Sequence, residues 1–196
     1  MQAIVRNIEA GRLAAQVAVV VSNHRDAPGV VWARERGLSV AVFERRDYPS
    51  RAAQNAAIAA CMREAGVDLV VMAGYDHLIT REMFDAFRGR IINIHPSLLP
   101  AFAGNMHAQA DALEYGVKIS GCTVHFVTED AVDGGPIILQ AAVPVLETDT
   151  AESLAARILE QEHLIYTEAI QLYAQGRLRI EGRRVRILEV ADVAGG

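Results

Sequence analysis

Several familiar signatures are missing from this sequence, and each absence removes a class of protein. Cysteine is scarce: Cys61 and Cys122 are the only two in 196 residues. They are too few for a disulfide framework and are expected to be buried free thiols of a reducing compartment. Long hydrophobic runs are missing as well. The longest, such as AAQVAVVV and VDLVVMAG, fall far short of the roughly 20 residues that cross a bilayer, so no membrane partner is expected. Met1 does not open a charged stretch followed by an apolar one, so no secretory signal is read and the expected compartment is cytoplasmic. Positive charge is not in excess either. A formal net charge of −5 argues against a nucleic-acid partner, because phosphate neutralisation calls for a basic surface. The chain has no G-x-S-x-G elbow, no P-loop, no G-x-G-x-x-G and no H-E-x-x-H, and no set of metal-ligating side chains at a recognisable spacing. No metal is expected. Repeats, linkers and low-complexity tracts are absent too.

What is present reads as a folded α/β chain. Hydrophobic residues make up 52% and charged residues 22%, and the length suits one domain, 1–196, with a core of its own. Apolar runs of strand length alternate with segments of helical period. The first helix is MQAIVRNIEAG. A strand over Ala14–Ser22 is followed by the helix APGVVWARERG, and LSVAVF by a helix that opens at Ser50 and closes at Gly66. VDLVVMAG then reads as a strand buried on both faces, Thr80 caps a short helix, and RIINIH is the next strand. This is the rhythm of an open sheet with right-handed crossovers. After residue 117 it changes: SGCTVHFVT and GPIILQAAVPV are separated only by EDAVDG, too short for a helical crossover, so an antiparallel excursion is expected. Asp149 and Thr150 offer N-caps for a long helix to about Gln175, and residues 177–190 read as a surface hairpin turning at Glu181-Gly182. The expected fold is a three-layer, Rossmann-like α/β domain. Its sheet is mostly parallel with antiparallel edge strands, and a long C-terminal helix covers it.

The stretch NIHPSLLP carries the densest chemical signal. Strand alternation puts Asn93 and His95 on one face, about 7 Å apart, at the carboxyl end where open α/β sheets hold ligands. An amide donor beside an imidazole suits stabilising an oxyanion while moving a proton. A lone N-x-H is more often structural; here its position and the bracketing Pro96 and Pro100 bring the two readings level. The turn AVDGGP supplies Asp133, a carboxylate that could reach His95 and favour its imidazolium form. His125, in mid-strand, reads as a satisfied core or edge residue; His24 and His163 as surface or capping groups; His107 and His77 as possible substrate contacts.

With these residues in place, NIHPSLLPAFAG, GCTVHFVTED, VDGGPIILQAAVPV and LEQEHLIY closely resemble the phosphoribosylglycinamide formyltransferase family, folate-dependent enzymes of purine synthesis. The middle motifs are specific in combination, whereas the first part of the chain matches only in pattern. The resemblance implies formyl transfer from the co-substrate 10-formyltetrahydrofolate to the amine of glycinamide ribonucleotide, by a monomer or homodimer. It implies that Asn93 and protonated His95 stabilise the tetrahedral oxyanion, that His95 is the general acid, and that Asp133 holds His95 protonated and oriented. It implies a folate pocket built from Arg51, from Tyr75, Asp76, His77, Leu78 and Ile79, from Asn93, and from the loop Thr128, Glu129, Asp130, Ala131, Val132 and Asp133. Pro96, Gly104, Gln161 and Glu162 would line the ribonucleotide side. Without the resemblance, Glu162 reads as a solvated or capping helix residue.

Two departures from the family pattern stand out. Asp76-His77 occupies the place of the usual Met-Arg, which removes a permanent cation beside the folate. Family members also place a central strand and a glycine-rich, phosphate-holding loop ahead of the residues matching MQAI. The expectation is that Met1 is an internal methionine of a chain longer by about ten to fifteen residues. Related functions stay in view. A 10-formyltetrahydrofolate deformylase typically reads His-Ser-Phe at Pro96-Ser97-Leu98 and carries an extra N-terminal domain. A methionyl-tRNA formyltransferase needs a further RNA-binding domain, and a folate-binding remnant would transfer nothing.

Overall fold

The strands form where apolar runs meet turn residues, and the helices where a cap meets an amphipathic period. In the computed structural model, which describes residues 1–75, 77–105, 107–130 and 132–190, the order along the chain is as follows. α1 (Gln2–Glu9), β1 (Val20–Ser22), α2 (Pro28–Glu35), β2 (Val40–Val42), α3 (Arg51–Glu64), β3 (Val70–Met72), α4 (Arg81–Ala86) and β4 (Ile91–His95) form the first half. α5 (Ala108–Tyr115), β5 (Ile119–Phe126), β6 (Ile137–Pro144), α6 (Ala151–Ala174), β7 (Leu178–Glu181) and β8 (Arg184–Ile187) complete it. β1 and β2 pair in parallel as a two-stranded sheet, and the remaining strands form a second sheet in the order β3-β4-β5-β6-β8-β7.

β4 organises the larger sheet. It runs parallel to β3 on one side and antiparallel to β5 on the other, so the reversal expected after residue 117 lies inside the sheet rather than at its margin. β5 and β6 then pair antiparallel over their length, and the C-terminal hairpin β7–β8 joins the sheet by a parallel contact of Arg184 with Ile137. Alternation along β4 sends its side chains to two separate cores. Ile91 packs with Ile58, Ala59, Val70, Met83 and Phe87 under α3 and α4. Ile92 packs with Val124, Phe126, Leu154, Ile158 and Ala169 under α6. Helices on both faces of a central sheet are the three layers expected.

α6 is a 24-residue helix. Thr150 accepts from the Ser153 N–H while Ser153 accepts from Thr150's N–H, a reciprocal cap that fixes where the helix begins. Just ahead of it Arg157 clamps both oxygens of Asp149 at 2.8 Å and donates to the Pro144 carbonyl, tying helix to β6. The stripe anticipated along its inner face, Leu154, Ile158, Ile165, Ala169 and Leu172, is buried. Tyr166, buried with them, donates its hydroxyl to Met72 O (2.6 Å) and also lies 3.1 Å from Ile92 O, which pins α6 to the end of β3 and to β4. No helix among the described residues is long and apolar enough to cross a membrane.

Between the two sheets lies a cavity of about 1040 Å³. Residues 17–22 line one wall, residues 67–74 line the other, and Ile4, Val5 and Ile8 of α1 lie against it. The strand expected over Ala14–Ser22 is cut to Val20–Ser22 here, the residues that pair with β2.

Candidate functional site

The polar face of the sheet is written by register. Asn93 sits directly across from His125, and His95 across from Thr123. Directly opposed residues point the same way, so these four side chains share one face beyond the edge of the α3–α4 core. His95, Thr123 and His125 are buried and Asn93 is half-buried.

Asp133 reaches this face from the β5–β6 turn. Its backbone adopts φ +52°, in the left-handed region that few residues other than glycine occupy. The turn is held close to β5: a Cβ on Gly135 would fall 1.7 Å from the Phe126 carbonyl oxygen, so only glycine fits there. In this pose Asp133 Oδ2 lies 3.2 Å from His95 Nδ1 and accepts from the Gly104 N–H at 2.9 Å. Its other oxygen, Oδ1, lies 3.5 Å from His125 Nε2, a long contact for a hydrogen bond but a close one between charges. His125, the Gly104 N–H and His95, in that order, outweigh the cost of burial and lower the Asp133 carboxyl to about 2.

Both ring nitrogens of His95 face acceptors, Asp133 Oδ2 at Nδ1 and the Phe102 carbonyl at Nε2 (3.0 Å). Both are satisfied only if both donate, which is the hydrogen-bonding pattern of an imidazolium. The loop 96–104 supplies Phe102 and Gly104, and β5 and β6 hold that loop. Thr123 Oγ1 donates to Ser97 O at 2.7 Å and accepts from the Leu99 N–H at 3.0 Å. Gln140 reaches Leu99 O and Thr123 Oγ1 at 3.1 and 2.9 Å, and Ser97 Oγ donates to Ala101 O. Residues of the SLLPAF loop thus have their places set by a buried threonine two strand positions from His125.

The remaining expected site residues fall into three groups. Arg51 is exposed as the first residue of α3; one turn on, Asn55 accepts from the Thr80 N–H and so ties α3 to the loop after β3. That loop holds Tyr75 and His77, whose rings meet edge-on at 6.0 Å, the half-buried Ile79, and Leu78, which is 58% exposed. His77 also meets His24 edge-on at 6.2 Å, so His24 belongs with this loop. Thr128 is half-buried, while Glu129, Asp130 and Val132 are exposed on the turn leading to Asp133. Pro96 and Gly104 flank the His95–Asp133 contact. Gln161 and Glu162 are half-buried in the middle of α6, so Glu162 is neither a cap nor a solvated residue. Burial raises the Glu162 carboxyl. Asp76 and Ala131 lie outside the described residues.

The structure also changes the reading of His125 and adds a backbone contact. His125 is buried in mid-strand as anticipated, yet it is also a partner of the Asp133 carboxylate. Its position opposite Asn93 follows from the antiparallel pairing, which local sequence does not display. The Phe102 carbonyl carries no sequence signal because it is backbone. Of the two free thiols, Cys61 is half-buried and Cys122 is buried, its pKa pushed up to about 12 by burial.

Comparison with known proteins places this geometry among its relatives. The model of the family described as Formyl transferase matches residues 1–170. A phosphoribosylglycinamide formyltransferase from Haemophilus influenzae is 41% identical over 181 residues, which is 92% of this chain and 84% of that relative. Among solved structures, glycinamide ribonucleotide transformylase 1 from Symbiobacterium toebii superposes with a TM-score of 0.93 at 57% identity, covering 96% of this chain and 88% of that one. A formyltetrahydrofolate deformylase from Pseudomonas syringae shares the fold, with a TM-score of 0.86, at 23% identity and over 61% of its own length.

Proposed function

This chain belongs to the formyl transferase family, and we propose that it moves the formyl group of 10-formyltetrahydrofolate onto the amine of glycinamide ribonucleotide in purine synthesis. The observation that carries the reading is the contact of Asp133 with His95 on the face shared with Asn93, at the carboxyl end of β4. The relatives named as glycinamide ribonucleotide enzymes are far more similar in sequence than the deformylase, which supports transfer over hydrolysis.

The residues present suit such a transfer. When an amine adds to the formyl carbon, negative charge gathers on the formyl oxygen. Asn93 Nδ2 and a protonated His95 are the donors for that oxygen, and donors fixed in advance need no reorganisation as the charge appears. Asp133 keeps the imidazole turned and its charge balanced. His95 Nε2 gives its hydrogen bond to the Phe102 carbonyl in this structure, so it must exchange that acceptor for the substrate oxygen. As the bond from the formyl carbon to the folate nitrogen breaks, His95 gives its proton to that nitrogen as general acid, and the proton shed by the attacking amine restores the imidazolium.

The loop Tyr75–Ile79 with Arg51, and the turn Thr128–Asp133, supply the folate side. Pro96, Gly104, Gln161 and Glu162 supply the ribonucleotide side. The loop with Tyr75 and Ile79 follows β3 and the loop from Pro96 to Gly104 follows β4, at the carboxyl ends where open α/β sheets bind ligands, which supports the assignment. The enzyme is cytoplasmic and acts as a monomer or homodimer in this reading. Carbon-labelled 10-formyltetrahydrofolate supplied with and without glycinamide ribonucleotide tests it. Label appearing on the ribonucleotide is the expected result. Label released as formate whether or not the amine is present would make the protein a hydrolase, and no reaction would reduce it to a folate binder.

A further inference from the structure

We propose that His125 is a positioning residue for this reaction: from β5 it engages one oxygen of Asp133, so that the other is directed at His95. The inference rests on the function proposed above. The Asp133 carboxylate is a pivot with its two oxygens assigned to different partners. Oδ2 receives the Gly104 N–H and faces His95 Nδ1, while Oδ1 faces His125 Nε2. Without a partner at Oδ1, rotation about the terminal carboxyl bond could present either oxygen, or neither, to His95.

His125 is built to hold that place. It is 1% exposed, and its other nitrogen, Nδ1, lies 3.0 Å from the Phe126 carbonyl, which fixes the ring plane. A hydrogen on Nδ1 satisfies that carbonyl, whereas Nε2 has no hydrogen-bond partner among the described residues: Oδ1, at 3.5 Å, is the acceptor it faces, at the limit of hydrogen-bond reach. A buried side chain serving only to pack would be apolar at this position, since an imidazole nitrogen left against an acceptor oxygen costs free energy. The groups facing the carboxylate come from every neighbouring element. They are His95 of β4, His125 of β5, and the Gly104 N–H of the loop after β4. Arg183 of the β7–β8 turn donates to the adjacent Gly134 carbonyl, and Glu129 and Asp130 share the carboxylate's own turn.

Two variants separate positioning from packing. His125→Val removes both nitrogens; His125→Gln keeps an amide N–H able to reach Oδ1 but cannot titrate. His125→Val is expected to lower kcat roughly tenfold, the lower range for removing an orienting partner of a functional side chain, with both KM values within about twofold. The acid limb of its kcat–pH profile should move to higher pH, and His125→Gln should recover most of kcat and bring that limb back towards the parent. Overlapping profiles of parent and His125→Val, or equal losses in the two variants, would overturn the inference. Acid unfolding, which needs no substrate, gives an independent reading even if the proposed reaction is wrong. Between about pH 4 and pH 2, where Asp133 titrates, the stability of His125→Val should fall at higher pH than that of His125→Gln. Identical acid unfolding of the two variants would reject the role whatever the reaction turns out to be.

Discussion

In the proposed reaction Asn93, His95 and Asp133 each take a different share of one oxyanion problem, and substitutions should divide accordingly. Asn93→Ala removes a donor that matters only as charge develops, so kcat should fall about a hundredfold or more with little change in substrate binding, measured by steady-state kinetics. Asp133 leaves a signature in stability as well. Its carboxyl is lowered from 3.8 to about 2, so the charged form stabilises the fold above pH 4 and that contribution disappears as pH falls towards 2. At neutral pH it is worth on the order of 2 kcal/mol. Asp133→Asn should therefore be less stable than the parent at pH 7, and the gap should close by pH 2 in urea titrations. The Asn-x-His pair was legible because strand alternation is local, and Asp133 because an acidic residue before two glycines at a turn is conspicuous. His125 was not. Its role depends on which strand lies opposite, and a strand's partner is a long-range fact.

Helix α6 and the β5–β6 turn are the elements that bring distant residues together. Thr150 starts α6 through a reciprocal cap, and its hydroxyl accepts the Ser153 N–H. Thr150→Ala should cost about 1 kcal/mol in chemical denaturation while leaving the kcat–pH profile unchanged, because the cap is remote from His95. Gly135→Ala should do the reverse of a mild surface change. The new methyl would collide with the Phe126 carbonyl and push the turn off β5, carrying Asp133 with it. Activity should be lost even in preparations whose circular dichroism is that of the parent. Helix ends marked by Ser50 and Thr150 were readable because capping is written in one or two residues. α5 was not anticipated: eight residues between a loop and a glycine carry too little periodicity to stand out. The C-terminal hairpin was readable as a hairpin, but its docking against β6 was not, since Arg184 meets Ile137 across a long stretch of chain.

At the scale of the whole molecule, alternation of apolar runs and helices gave the layers, while the division into two sheets depended on strand pairing. Among the described residues β1 bonds to β2 alone, through Val20 N to Ser39 O and Phe43 N to Ser22 O, and β3 bonds to β4 through Val70 N to Arg90 O. Alternation along a parallel ladder then turns the N–H and C=O of Val21 and Val71 towards the cavity. Side-chain contacts still bridge the sheets: Val21 packs into the core of Ile58, Val70 and Ile91, and Gln54 of α3 donates to the Phe43 carbonyl beyond β2. Gln54 is fully buried, so Gln54→Ala should cost about 1 kcal/mol in chemical denaturation. Asn55, the next residue, holds the Thr80 N–H after β3, so α3 works as a bracket: two neighbouring side chains of one helix fix the exits of β2 and β3 together.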